Sequence, residues 1–349
     1  MKTDLSIEQL VSKVNGLVPL KKDILVNTDE IMVKSDEYNS FLNINGRDYR
    51  LQEVAEKQLA SMCGIPYSYA SKIGRTFPSL LDDNYNTLLG TVKRNKLIRT
   101  IGGSARAVLS DRYKKFENEM VLATLLPLVE NTKGLSVVSS SLTTEKMYVK
   151  VVSERERAEV KVGDLVSFGA VITNSEIGLG SITINPFCLR LVCTNGMALP
   201  SYIGSTRSIH LGKKFNTIDE YEGMPDDDEG VIKRIKNSLD STLDPTFYMR
   251  IIEKMKAARD VKVADVHESI EIIGKHYGID EREQSLILMH YLQDKDESFY
   301  GLVNSVTRAA SDAVTYTRAS ELERIGSDLL HDGIASMRKR SNKFFGVLA

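Results

Sequence analysis

The sequence has little cysteine and histidine, and neither residue falls into a metal-binding pattern. Its 349 residues include 3 cysteines and 5 histidines. Cys63, Cys188 and Cys193 cannot all pair with one another, and no Cys-x-x-Cys pair or Cys/His cluster has the spacing of a zinc site. We therefore expect a reduced protein that holds no metal and needs no cofactor.

Long apolar runs are also missing. No run approaches the roughly 20 residues that span a bilayer, and residues 1–5 lack the basic and apolar regions of a secretory signal peptide. With 42% hydrophobic residues the chain can still build a sizeable core. These features predict a cytoplasmic protein without membrane contact.

Neither sign of charge is in excess over the whole chain. The 46 basic and 47 acidic residues give a net charge of -1, which excludes a polycation. A local excess occurs between Lys72 and Lys115, where ten basic residues accompany three acidic ones. The basic residues are Lys72, Arg75, Lys93, Arg94, Lys96, Arg99, Arg106, Arg112, Lys114 and Lys115. This segment either holds a polyanion through salt-sensitive phosphate contacts or is a solvated surface balanced by acidic residues elsewhere.

Residues 168–197 contain two runs rich in Val, Ile and Thr on either side of a polar turn at Asn174-Ser175-Glu176. This pattern predicts a long β-hairpin. Its second strand carries one charge, Arg190, which needs an anion or a partner such as Glu176. We expect that strand to stop at Asn195-Gly196, a dipeptide suited to positive φ.

The order of the remaining patterns sets the fold class. A helix is predicted over residues 51–62, and a short second helix after Gly64-Ile65-Pro66 completes a helix-turn-helix that binds DNA or simply packs. Gly102-Gly103 is a hairpin signal, and helix-forming sequence dominates from Gly230 onward. The sequence thus predicts an α+β fold: a largely antiparallel β-sheet with a long central hairpin and packed helices, followed by a mainly helical C-terminal region.

Three segments are predicted along the chain. An α+β core domain covers residues 1–215, an acidic linker or loop covers 216–230, and a helical region with a basic tail covers 231–349. The linker prediction rests on seven acidic residues between Asp219 and Glu229, with no basic residue among them.

Four short motifs occur in order and resemble those of a known family. They are Arg106-Ala-Val-Leu-Ser-Asp-Arg-Tyr113, Asn174-Ser-Glu-Ile-Gly-Leu-Gly-Ser181, Arg190-Leu-Val-Cys-Thr-Asn-Gly-Met197 and His210-Leu-Gly212. Together they resemble the phage- and plasmid-carried family known as domain of unknown function 932. The resemblance implies a protein of a mobile element. The family's sheet-and-helix arrangement is similar to that of phage single-strand annealing proteins, although a shared fold does not by itself assign a function.

No pattern typical of an enzyme stands out. The histidines form neither a nucleophile elbow nor a His-Glu-x-x-His helix, and Gly178 and Gly180 lack the third glycine of a dinucleotide loop. A metal-dependent nuclease would need clustered carboxylates, for which Asp111, Asp164 and Glu176 are the candidates. We expect a non-enzymatic protein and keep the nuclease as an alternative.

These observations predict a protein that binds or anneals single-stranded DNA in recombination, with homo-oligomeric subunits lined up along the strand. The predicted contacts are Lys93, Arg94, Arg99, Arg106 and Arg112 to phosphates, Tyr113 to a base, and Arg190 and Arg207 along the same groove. The alternative is a protein-interaction module of a mobile element, such as an inhibitor of a host defence complex. Its acidic stretch would then imitate nucleic acid.

Overall fold

The structure is a computed structural model that describes residues 1–2, 4–180, 182–199 and 228–345. In chain order, its strands are β1 Lys21–Asn27, β2 Ile31–Ser35, β3 Ser40–Ile44, β4 Arg47–Leu51, β5 Asn95–Ile101, β6 Ser104–Ser110, β7 Leu135–Leu142, β8 Met147–Lys161, β9 Asp164–Asn174, β10 Thr183–Arg190 and β11 Asn195–Ala198. Its helices are α1 Ile7–Leu17, α2 Glu53–Met62, α3 Tyr67–Thr76, α4 Pro78–Val92, α5 Asn118–Asn131, α6 Asp228–Thr242, α7 Pro245–Arg259, α8 Val266–Tyr277, α9 Glu281–Asp294, α10 Phe299–Ala309 and α11 Tyr316–Phe345. The predicted α+β class is confirmed.

The first sheet has six strands in the order β1-β5-β6-β4-β3-β2. Its neighbouring strands are antiparallel except for β4 and β6, which are parallel. Helices α2, α3 and α4 cover one face, where Leu59, Leu81 and Tyr85 pack with Val33 and Ile98 of the strands. The hydrophobic side of each element is buried by this layered arrangement.

Two tight turns in the first sheet depend on left-handed backbone. Asn45 and Gly46 join β3 to β4 with φ values of 51° and 77°, and Gly102 and Gly103 join β5 to β6 with φ values of 55° and 85°. Such conformations favour glycine and asparagine, so the predicted Gly102-Gly103 hairpin is confirmed. The predicted helix pair is also present, and it packs on the sheet through Leu59 of α2 and Ala70 of α3.

The second sheet has five antiparallel strands in the order β11-β10-β9-β8-β7. Strands β9 and β10 form the predicted central hairpin, in which Ile172 lies opposite Ile184. Helices α1, α5 and α6 pack on one face in a shared hydrophobic cluster with Val149 and Val151 of β8. Lys150 lies between these two valines and therefore points to the opposite face, where it meets Glu323 of α11.

The predicted stop at Asn195-Gly196 is wrong in its detail. Strand β10 ends at Arg190, the left-handed residue is Thr194 with a φ of 49°, and β11 begins at Asn195. Gly196 serves close packing instead, because a Cβ atom there would lie 2.3 Å from the Phe187 ring. The positive φ predicted for Asn195-Gly196 is therefore also wrong, because neither residue has a left-handed backbone.

The C-terminal helices pack on the second sheet in one hydrophobic cluster. Phe168 of β9 stacks on Tyr248 of α7, with 4.4 Å between the ring centroids. The same cluster contains Met197 of β11, Val303 of α10 and Leu322 of α11. The mainly helical C-terminal region is thus confirmed, and its cluster is shared with strands of the central hairpin.

Part of the predicted acidic linker overlaps a helix. Helix α6 begins at Asp228, inside the predicted 216–230 segment, while residues 216–227 lie outside the described residues. The division into a 1–215 domain and a 231–349 region stays a prediction. In the described ranges, no helix combines the length and apolarity needed to cross a membrane.

Candidate functional site

A cluster of charged side chains lies where the turn after β9 meets the first sheet. Glu176 is at its centre and is only 5% exposed. One carboxylate oxygen, Oε1, accepts hydrogen bonds from Lys21 Nζ at 2.7 Å and from the Asn118 backbone N–H at 2.8 Å. The other, Oε2, accepts one from Arg106 Nη1 at 2.5 Å. Glu176 thus ties the second sheet to β1, β6 and the start of α5.

Two further glutamates at the start of α5 complete the cluster. Lys21 Nζ lies 2.7 Å from a Glu119 oxygen and 3.3 Å from a Glu117 oxygen. Arg99 of β5 pairs with Glu117 and, at 2.9 Å, with Asp23 of β1. Because the cluster contains both signs in close contact, its buried charges are largely compensated.

A β-bulge brings Arg106 into the cluster. Arg99 lies opposite Ala107 and Thr100 lies opposite Ala105, which leaves Arg106 as the extra residue of β6. A bulge bends the strand and redirects a side chain. The bulge explains how the Arg106 side chain, only 8% exposed, reaches Glu176. The residues before and after it in β6, Ala105 and Ala107, pack into hydrophobic clusters instead.

The turn that carries Glu176 is fixed by its own polar side chains. Asn174 Nδ2 donates to the Phe116 carbonyl at 3.0 Å, and Ser175 Oγ donates to the Glu145 carbonyl at 2.9 Å. Gln58 of α2 donates to the Ile177 carbonyl at 2.8 Å. The side chains of Asn174, Ser175 and Glu176 therefore fix the conformation of this segment through hydrogen bonds, in agreement with its predicted place in a turn.

The ion cluster shifts the pKa values of its members. Burial alone would raise the pKa of Glu176, but the Asn118 N–H, the Lys21 ammonium and the Arg106 guanidinium stabilise its carboxylate and lower the pKa to about 2. Burial opposes the charge of Lys21, yet hydrogen bonds to Glu119 and Glu176 raise its pKa above the usual value. The members therefore hold one another in the charged form at neutral pH.

The three glutamates have the spacing of a metal-binding group. One oxygen from each of Glu117, Glu119 and Glu176 lies within 4.8 Å of the others. However, the Lys21 ammonium contacts all three carboxylates, so a cation would have to displace it. The three glutamates do not fit a resident metal ion, because the Lys21 ammonium already lies where the cation would bind.

The carboxylates considered for a nuclease have separate partners. Asp164 pairs with Arg190, Glu176 with Lys21 and Arg106, and the exposed Asp111 accepts a hydrogen bond from Ser110 Oγ. The grouped carboxylates in the described part of the chain are Glu117, Glu119 and Glu176 instead. Sequence reasoning missed Lys21, Glu117 and Glu119. The signal it could have used is that Glu117 and Glu119 directly follow the basic segment.

The predicted nucleic-acid contacts fall into two groups by exposure. Arg99 and Arg106 are buried in the ion cluster. Lys93, Arg94 and Arg112 are exposed, and none of these three side chains has an ion-pair partner within the ranges that the structure describes. Lys96 of β5 lies opposite Ser110 of β6, so the three exposed residues sit at the same end of the β5–β6 hairpin. We call Lys93, Arg94 and Arg112 the hairpin-end patch.

Tyr113 and Arg190 are both engaged in contacts within the protein. The Tyr113 hydroxyl donates to the Ser175 carbonyl at 3.2 Å, and its ring packs beside Leu109 and Ile177. Arg190 Nε donates to Asp164 at 2.7 Å, so the suggested pairing of Arg190 with Glu176 is wrong. Arg207 lies outside the described residues.

A second polar cluster surrounds Arg190 between the second sheet and α10. The Arg190 guanidinium lies over the Tyr300 ring, 5.7 Å from its centroid. Asn195 Nδ2 donates to Thr307 Oγ1 at 2.6 Å. Both ends of the Arg190–Met197 motif thus contact α10 and join the C-terminal helices to the hairpin.

Comparison with known proteins agrees with this arrangement of motifs. The chain matches the sequence profile of a family described as a domain of unknown function, DUF932, over residues 105–321, which is more than half of the 349 residues. The matched region contains the bulge at Arg106, the Glu176 turn and the Arg190 cluster. No curated protein and no solved structure matches the chain. The predicted resemblance is therefore confirmed, and the chain belongs to the DUF932 family.

Proposed function

We propose that the protein is a non-enzymatic nucleic-acid-binding protein that holds single-stranded DNA through its hairpin-end patch. The proposal rests on a difference in burial and ion pairing among the basic residues between Lys72 and Lys115. Arg99 and Arg106 are buried and paired, whereas Lys93, Arg94 and Arg112 are exposed and converge at one end of a hairpin. Unpaired exposed cations are the groups that phosphates bind, since no internal ion pair has to be broken first.

The proposal includes annealing of complementary strands in the recombination of a phage or plasmid, in the cytoplasm. An annealing protein needs no nucleotide hydrolysis, because a basic surface that contacts the backbone leaves the bases available for pairing. With Tyr113 engaged by Ser175, the interaction at this patch is electrostatic and independent of sequence. Several subunits along one strand would keep it extended.

Fluorescence anisotropy with a labelled single-stranded oligonucleotide tests this proposal. The variant Lys93→Ala/Arg94→Ala/Arg112→Ala removes the patch. Each phosphate contact to a single strand contributes about 0.7 to the slope of log affinity against log salt, so losing three lowers the slope by about 2. At 0.1 M salt this corresponds to an affinity roughly 100-fold weaker.

A matched control removes the same number and types of charge elsewhere. Lys133, Arg250 and Arg282 are exposed and lie after α5, in α7 and in α9. The variant Lys133→Ala/Arg250→Ala/Arg282→Ala should retain the wild-type affinity and salt slope. Equal losses of affinity in both triple variants would mean that binding depends only on the net charge of the protein. Absence of binding by the wild type at low salt would rule out the proposal.

A second candidate function, a protein-interaction module of a mobile element, is favoured by a different surface. A cleft of about 630 Å³ lies between the α7–α8 and α9–α10 connections, with Val263, Tyr291 and Leu292 in its lining. Leu292 is 62% exposed. A host protein complex that binds this cleft should be recovered from host extract in stoichiometric amounts by the wild type and not by Leu292→Arg. Recovery by both proteins would argue against the cleft as the contact.

A further inference from the structure

The side chain of Asn195, the first residue of β11, faces α10 with one of its two polar atoms unpaired. Asn195 is only 3% exposed. Its Nδ2 donates to Thr307 Oγ1 at 2.6 Å and lies 3.4 Å from Asn304 Oδ1. Its Oδ1 has no hydrogen-bond partner among the residues that the structure describes. Because buried polar atoms nearly always have a partner in folded proteins, we expect one for this oxygen.

The neighbours of Asn195 fix the orientation of its amide. The Thr307 hydroxyl has a single hydrogen, which it donates to the Asn304 backbone carbonyl at 3.0 Å. Thr307 Oγ1 can therefore only accept from Asn195, so the amide nitrogen faces Thr307 and the amide oxygen faces away. The unpaired oxygen is thus not the result of a reversed amide.

An available donor lies nearby on α10. Asn304 is 6% exposed, and its Nδ2 has no acceptor in hydrogen-bonding geometry within the described ranges. The Tyr300 hydroxyl, one helical turn earlier, lies close to it, but Nδ2 carries two hydrogens, so at least one remains available. An acceptor on β11 and a donor on α10 are therefore both buried without a full set of partners.

Both groups border one small cavity between β11 and α10. Its polar lining includes Asn195, Tyr300 and Asn304, and its apolar lining includes Val166, Met197 and Val303. The space open to the centre of a water molecule is about 10 Å³. This is close to the smallest volume that holds one water molecule, so a larger ligand does not fit.

We propose that this cavity binds one water molecule, which donates to Asn195 Oδ1 and accepts from Asn304 Nδ2. Buried waters typically make about three hydrogen bonds, and the Tyr300 hydroxyl in the cavity lining is the third candidate partner. The water links β11 to α10 and so belongs to the contact between the second sheet and the C-terminal helices. Its site lies within the segment that matches the family profile.

The charges around the cavity favour a neutral ligand over an ion. Arg190 also lines the cavity, and its guanidinium opposes a cation. Its Nε donates to Asp164 at 2.7 Å, so the positive charge is already compensated and does not require an anion. Water is neutral and both donates and accepts, which matches the Asn195 oxygen and the Asn304 amide.

A high-resolution crystal structure of the full chain tests the site directly. We expect density for one water within about 3.2 Å of both Asn195 Oδ1 and Asn304 Nδ2. The variant Asn304→Leu removes the donor and should lose this water. Ser305→Ala is the matched control, because Ser305 is a buried polar residue of the same helix whose hydroxyl bonds the Gly301 carbonyl at 2.8 Å. It should leave the water in place.

Soaking wild-type crystals in rubidium chloride distinguishes water from a monovalent cation, since rubidium gives an anomalous signal and water does not. No anomalous peak is expected in the cavity. A rubidium peak there, wild-type crystals without density between the two amides, or an unchanged water in Asn304→Leu would each overturn the proposal. The wild-type measurements remain decisive if Asn304→Leu fails to fold. Since DNA takes no part in them, these results are independent of the hairpin-end patch.

Discussion

The change Glu176→Gln tests whether the ion cluster holds the two sheets together. Glutamine keeps the shape of the side chain but removes the charge that Lys21 and Arg106 contact at 2.7 and 2.5 Å. It also directs an amide N–H₂ group toward one of these cations. Lys21 would keep Glu117 and Glu119, whereas Arg106 would keep only Glu117, at 3.9 Å, among its ion-pair partners in the described residues.

The expected cost follows from burial. Removing one partner from a buried ion pair typically costs 3–5 kcal/mol, because it leaves an uncompensated charge. The remaining glutamates offset part of this loss, so we expect about 3 kcal/mol for Glu176→Gln. Glu119→Gln is the matched control. Its side chain is 27% exposed and contacts only Lys21 among the cluster's cations, so its expected cost is about 1 kcal/mol or less.

Urea unfolding at pH 7 measures both costs. The chain has no tryptophan, so circular dichroism and tyrosine fluorescence are the suitable signals. The urea midpoint is expected to be clearly lower for Glu176→Gln than for Glu119→Gln, with similar slopes for the two variants. Equal midpoints would refute the assignment of Glu176 as the centre of the cluster.

The same pair of proteins has a defined pH dependence. The folded-state pKa of Glu176 is lowered from 4.5 to about 2, so its contribution is fully present above pH 4.5 and is lost as the pH falls toward 2. A shift of this size corresponds to roughly 3 kcal/mol. The stability difference between the wild type and Glu176→Gln should therefore shrink over this pH range. A difference that stays constant down to pH 2.5 would contradict the lowered pKa.

Two further predictions concern the second sheet. Lys150 and Glu323 are fully buried, and their charged groups lie 2.5 Å apart. Lys150→Met should therefore lower the free energy of unfolding in urea by about 3–5 kcal/mol, and adding Glu323→Leu should recover part of this loss. A double variant less stable than the single one would contradict this pairing. Gly169→Ala should greatly reduce the yield of folded protein, because its Cβ would lie 2.0 Å from the Val151 carbonyl oxygen. Gly90→Ala, in helix α4 with no atom within 4 Å, should instead stabilise by about 0.5–1 kcal/mol. Similar yields for the two alanine variants would show that the sheet adapts around position 169.

Much of the fold could be predicted because its signals are local. The Gly102-Gly103 turn, the helix that Gly64 ends and the long hairpin over residues 168–197 all follow from backbone preferences and short-range patterns. The N-terminal strands β1 and β2 could not, since their apolar residues have no clean period. The β-bulge at Arg106 depends on the register with β5, which no local pattern encodes.

The candidate site shows a similar limit. The charges between Lys72 and Lys115 indicate a basic segment, but their positions in the sequence do not separate exposed residues from neutralised ones. Glu117 and Glu119 lie just after that segment and Glu176 lies far along the chain, yet together they neutralise Arg99, Arg106 and Lys21. Only the fold brings these residues together.

The difference between buried, paired charges and exposed, unpaired ones also indicates which residues are available to bind a partner. The motifs around Glu176 and Arg190 form buried ion pairs and side-chain hydrogen bonds that join the first sheet, the second sheet and the C-terminal helices. A ligand that bound a charged group of these pairs would have to replace a partner that is already close. The hairpin-end patch, in contrast, is exposed, and its side chains have no ion-pair partner among the described residues. The buried ion pairs and the proposed DNA-binding patch are therefore different groups of residues. If the patch binds DNA as proposed, Glu176→Gln should lower stability without changing the salt slope of binding by the folded protein. A changed slope would show that the cluster itself takes part in binding.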